Sequence, residues 1–141
     1  MLDVAIQKFI AKHHLLTLAT CHENQPYCAS CFFAFIKETP SFVIATSEQT
    51  RHGSEALLNS RVAGSIALET SVVGKIQGLQ FTGHYQKADE QEEKAYFKRF
   101  PYALAMNPSL WSIAIEYIKF TDNTLGFGKK LEYFKESKNS L

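Results

Sequence analysis

The four residues HENQ at 22–25 constrain this chain more than any other stretch. They separate two runs of strand formers, LLTLATC at 15–21 and PYCASCFFAFI at 26–36. A link this short joins antiparallel neighbours only, because a parallel return needs a crossover of roughly a dozen residues or more. Other strand-like runs follow after similarly short links, so the chain reads as mainly β and antiparallel. Ahead of the first strand, Leu2, Ile6, Phe9, Ile10 and His13 share one face of an amphipathic helix. Further along, Phe42, Val43 and Ile44 form a strand, Ala56 and Leu57 give a short helix its buried side, and the run at 62–68 is again apolar. In 77–86, Gly78, Gln80, Thr82 and His84 share one strand face and Leu79 and Phe81 the other, with glycines that allow close backbone approach. Asp89 and Glu92 have the spacing of a capping box, opening a helix that Pro101 stops. Trp111, Ile113, Ile115 and Tyr117 alternate with Ser112, Ala114 and Glu116, as in a half-buried strand, and a last strand follows a turn at 122–124. The plan is an antiparallel β-barrel of about six strands with helices at its rim.

At 141 residues the chain has the length of one domain, with a polar tail from 135 onward. A net charge of +1 gives no electrostatic argument for nucleic acid or an anionic membrane. No apolar run approaches the roughly 20 residues that span a bilayer, and the N-terminus lacks the plan of a secretory signal, so a cytoplasmic location is expected. Three cysteines fit that compartment. Cys28 and Cys31 are three residues apart in a strand and so lie on opposite faces, unable to clasp one metal ion. The five histidines show no ligand spacing, and no built-in metal site is expected. GLQFTG at 78–83 is not GxGxxG and lies inside a strand, which argues against a Rossmann-type site. Both faces of the second strand are largely apolar, which asks for cover from a partner subunit or a cofactor.

The polar corner within 41–69 is where chemistry can sit. Thr50 has the character of an N-cap, which leaves the N–H groups of Arg51, His52 and Gly53 without partners inside the helix. Those donors, the helix dipole, the Arg51 guanidinium and the hydroxyls of Thr46, Ser47, Thr50 and Ser54 would suit a phosphate. The same residues also describe a solvated turn with a surface arginine.

The order of helix, hairpin, long strand, IATSEQTRHGSEALLNSRVAGSIAL at 44–68, QGLQFTGHYQ at 77–86 and a helix ending in YFKRFP at 96–101 resembles the flavin-binding split barrel of the pyridoxamine-phosphate oxidase superfamily. Within it, IKFTDNTLGFGKK at 118–130 is similar to the C-terminal signature of the bacterial family typified by YhbP. The resemblance implies a homodimer holding flavin mononucleotide (FMN) between subunits and acting as an oxidoreductase on a small molecule. It puts Ala45 and Thr46 where relatives have an aromatic-Thr pair, and Thr50, Arg51 and His52 where they hold the phosphate with Ser-Arg-Lys. The flavin ring would lie against Ser30, Cys31, Phe32 and Phe33, with Ser30 replacing an arginine. Gln80 lies near the relatives' glutamine position, which Gly78 occupies. Phe127 would cover the ring, and Lys129 or Lys130 would stabilise charge on a reduced flavin. The tryptophan and arginine of the oxidases' C-terminal motif are absent here, so oxidation of pyridoxamine phosphate is not implied. Alternatives are a haem-binding barrel with His84 or His13 as axial ligand, a flavin store or sensor, and a purely structural dimer.

Overall fold

The hairpin forms where the short link requires it. In the computed structural model, which describes residues 1–126 and 129–136, β1 (Leu15–His22) and β2 (Gln25–Ile36) pair antiparallel from Leu15↔Phe32 to His22↔Gln25. Glu23 and Asn24 between them both have positive φ, 51° and 63°, the backbone of a two-residue turn that follows the strand twist. The other strands are β3 (Ser41–Ala45), β4 (Arg61–Ala67), β5 (Gln77–Lys87), β6 (Leu110–Asp122) and β7 (Lys130–Phe134). The sheet runs β3-β2-β1-β4-β5-β6-β7, and β3 also pairs with β6. That pairing closes a six-stranded antiparallel barrel, as the sequence implies, and β7 extends it along β6 beyond the end of β3.

The core lies inside this closed sheet. The Phe42 ring lies 5.1 Å from Phe33 and 4.7 Å from Phe81, all three fully buried. α1 (Val4–Ala11), capped by Asp3, plugs one end with Ile6, Phe9 and Ile10. α3 (Glu90–Arg99) starts with the expected capping box, Asp89 and Glu92 each accepting the other's backbone N–H. Its Tyr96 covers Ala34, Ile36 and Val43 outside the barrel. α2 (Arg51–Leu58) follows β3 and packs mainly against β1.

Four expectations need correction. Leu57 is not on the buried side of α2: it is exposed, as is Leu58, and the buried side consists of Gly53, Glu55 and Ala56. β6 is longer than its alternating segment and changes phase. Thr82 pairs with Tyr117 but Gly83 with Ile115, so Glu116 bulges, Tyr117 turns away from the core, and Ile118 and Phe120 point inward. Ser112, read as solvent-facing, is fully buried, its hydroxyl donating to the Glu92 carboxylate of α3. Gly83 permits the bulge, since a Cβ there would sit 2.6 Å from the Ala114 carbonyl oxygen. Finally, β2 is covered on both faces only in its second half. Its outward Cys28, Ser30 and Phe32 are exposed, while Ala34 and Ile36 lie under α3. No helix among the described residues is long and apolar enough to cross a membrane.

Candidate cofactor site

The corner between β3 and α2 begins with Thr46, whose N–H donates to the Ser109 carbonyl at 3.1 Å. Thr50 is the N-cap of α2: its Oγ1 accepts the Gly53 N–H at 3.1 Å and donates to the Ser47 carbonyl at 2.7 Å. Gly53 is therefore not one of the free donors expected there. The N–H groups of Arg51 and His52 are free, with no partner among the described residues. Gly53 is held tightly, since a Cβ on it would lie 2.1 Å from the Ser47 carbonyl oxygen. The Ser54 hydroxyl donates to the Arg51 carbonyl, and Ser47 Oγ accepts the Gln49 N–H. The hydroxyls of Ser47, Thr50 and Ser54 thus serve the local backbone rather than a shared cradle.

Arg51 and His52 are neighbours on a helix, so their side chains leave it roughly 100° apart. His52 Nε2 is hydrogen-bonded to Thr46 Oγ1, and burial lowers the histidine's pKa from its ordinary 6.5, which keeps it neutral at physiological pH. Arg51 turns the other way. Its Nε donates to Glu55 Oε2 at 2.9 Å, and its guanidinium lies over the Tyr27 ring at 4.1 Å from the centroid. Glu55, buried on the inner side of α2, also accepts the Thr20 hydroxyl at 2.8 Å. The hydrogen bond from Arg51, then that from Thr20, hold the Glu55 carboxyl below its ordinary pKa. Only Nε of Arg51 is engaged, and the Nη edge has no protein acceptor among the described residues. Glu55, Tyr27 and Thr20 were missed in the sequence. The i,i+4 spacing of Arg51 and Glu55 was a signal for the first; Tyr27 and Thr20 arrive by strand pairing and left none.

The residues expected beneath a flavin ring divide between two faces. Cys31 and Phe33 point into the core, and burial pushes the Cys31 thiol up to about 11. Ser30 and Phe32 point outward. Phe32 is 55% exposed and meets the Phe100 ring edge-on at 5.6 Å, and Ala45 packs against the same outer cluster as Phe100. Ser30 faces Thr17, Thr17 faces Ser65 and Ser65 faces Gln80, so Ser30 and Gln80 share one cross-strand row on the outer face, which continues to Lys119 on β6 and Glu132 on β7. From Ser30 to Ser65 the side chains along this row are small and polar. Lys129 is exposed, and Phe127 lies outside the described residues. The structure thus joins Thr46 to His52 and Ser30 to Gln80 through the row. Arg51 stands apart with Glu55 and Tyr27. Gln80 also lines a cavity of about 320 Å³ with Ser65, Gln77 and Gly78. His84 faces outward, and His13 Nδ1 is taken by the Phe9 carbonyl at 2.7 Å. Among the described residues no three His, Cys, Asp or Glu side chains gather as metal ligands would.

Comparison with known proteins agrees with this architecture. The family model described as pyridoxamine 5'-phosphate oxidase matches residues 2–122. The UPF0306 protein YhbP of Salmonella arizonae is 38% identical over 137 residues, covering 94% of this chain and 93% of that protein. Among solved structures, a heme binding protein from Mycobacterium smegmatis superposes with a TM-score of 0.71 at 14% identity, over 89% of this chain and 54% of its own. A FAD-binding protein from Mesorhizobium loti gives 0.67 at 14% identity, over 84% and 92%. At such identities these two structures speak for the fold alone.

Proposed function

We propose that this chain, which belongs to the pyridoxamine 5'-phosphate oxidase family and within it to the UPF0306 YhbP proteins, binds FMN as a homodimer and serves as an oxidoreductase for a small molecule. The observation that carries this reading is the half-engaged Arg51. Glu55 holds Nε and Tyr27 supports the plane, so the guanidinium is fixed while its Nη edge stays available, and the N–H groups of Arg51 and His52 at the start of the same helix are free as well. A fixed guanidinium and the open start of a helix form a donor set that fits a phosphate ester. His52 stands where the relatives have a second cation, and a dianion nearby would favour its protonation. Once bound, the flavin itself accepts and returns the hydride, so the protein need only orient it and exclude water.

The dimer reading rests on the outer face. The row from Ser30 to Gln80 is made of uncharged polar side chains, three of them small, which leaves room for a planar ring or a second subunit. Apolar side chains flank it, with Leu15 50% and Val73 86% exposed. The test is direct. Purified protein reconstituted with FMN should show the two-band absorbance of a bound flavin and scatter light as a dimer. A Soret band on adding haemin with no retained flavin, or a monomer at micromolar concentration, would overturn the reading.

A further inference from the structure

We propose that the groove between α1 and α3, away from the β3–α2 corner, binds a free small organic anion with an apolar body, its acidic head against Arg99. The groove has a volume of about 900 Å³, within the range of roughly 300–1,000 Å³ typical of small-molecule sites. Its floor is apolar: Val4 and Phe35 give it accessible surface, over the buried Ile10 and Ala34. Its rim is cationic: Lys8 comes from α1, Lys37 from the turn after β2, and Lys98 and Arg99 from the end of α3, against a single carboxylate, Glu38. None of these five side chains forms an ion pair among the described residues.

Arg99 makes this more than a charged surface. Its Nη1 donates to the Phe33 carbonyl at 2.9 Å and its Nη2 to the His13 carbonyl, and its guanidinium lies 5.1 Å from the centroid of the Phe33 ring. It is a half-buried cation, its pKa lowered by desolvation yet its charge retained at any physiological pH; two carbonyls and the faces of the Phe33 and Phe100 rings surround it, and no carboxylate pairs with it among the described residues. A desolvated charge is ordinarily paired, and here the missing partner is an anion. The apolar floor beside it accounts for the body of the ligand, because a bare inorganic ion would leave that surface in water.

Dodecanoate is the probe, titrated calorimetrically into the full-length protein. Saturable one-to-one binding is expected, with dodecyltrimethylammonium, the same chain carrying a cation, binding far more weakly. Lys8→Glu/Lys98→Glu reverses two exposed charges and should weaken dodecanoate by about tenfold or more. Ala11→Trp, at an exposed position on the groove wall, should block it. FMN binding should be unchanged in both variants, which separates failure here from failure of the flavin reading. The proposal is overturned by absence of saturable binding, by equal binding of the cationic chain, or by indifference to both variants. It is equally overturned by displacement of dodecanoate by FMN, or by binding confined to phosphatidylglycerol vesicles.

Discussion

Replacing Arg51 with alanine separates phosphate recognition from every other contribution to flavin binding. The Nη edge is the part of Arg51 that no protein group uses, so its removal deletes charge-assisted hydrogen bonds to the phosphate while leaving the outer face of β1, β2, β4 and β5 intact. Hydrogen bonds to a charged group contribute about 1.5–3 kcal/mol, which corresponds to a loss of about 10- to 150-fold in FMN affinity. Riboflavin has the same ring and no phosphate, so its affinity should hardly change. Quenching of flavin fluorescence on titration reads both constants. The substitution also strips Glu55 of its cation, leaving a buried carboxylate that accepts only the Thr20 hydroxyl, and this should lower stability on its own account. Arg51→Ala/Glu55→Gln distinguishes the two effects: neutralising the carboxylate should restore the urea midpoint but not FMN affinity. Equal weakening of FMN and riboflavin by Arg51→Ala, or recovery of FMN binding in the double variant, would refute the assignment.

Gly53→Ala should destabilise the fold by about 1–3 kcal/mol, as overpacking does, because the new methyl would meet a backbone carbonyl oxygen at 2.1 Å. Gly78→Ala, with its nearest atom at 3.8 Å, should leave the urea midpoint nearly unchanged, and similar losses in the two variants would contradict the packing account. For His52, burial lowers the folded pKa below the unfolded 6.5, so the unfolded chain takes up the proton first. Stability should therefore fall as pH drops below about 6.5 and rise towards neutrality. His52→Gln should flatten that dependence between pH 7.5 and 5.5, and an identical slope in the variant would show that another group is responsible.

Much of the fold is written locally. The HENQ link dictates antiparallel pairing, Thr50 and the Asp89/Glu92 pair carry their capping chemistry within four residues, and Cys28 and Cys31 part to opposite faces because a strand repeats every two residues. The family, too, was legible, since order and spacing survive where individual side chains do not. The exposed side of α2 was misread because its buried side contains Glu55, a carboxylate whose place inside depends on Arg51 and Thr20. The phase of β6 was lost at Glu116, because a bulge is a property of two strands in register and neither strand announces it.

What the sequence determined by itself was the set of elements, their caps and the antiparallel plan, all of which follow from interactions between residues close along the chain. The tertiary structure alone decided where the charges point. Closing β3 onto β6 and pairing β1 with β2 brings Tyr27 beneath Arg51 and draws Thr20 to Glu55, while Arg99 reaches two carbonyls far away in sequence. Electrostatic energy depends on distance through space and on burial, and neither exists until the barrel has closed.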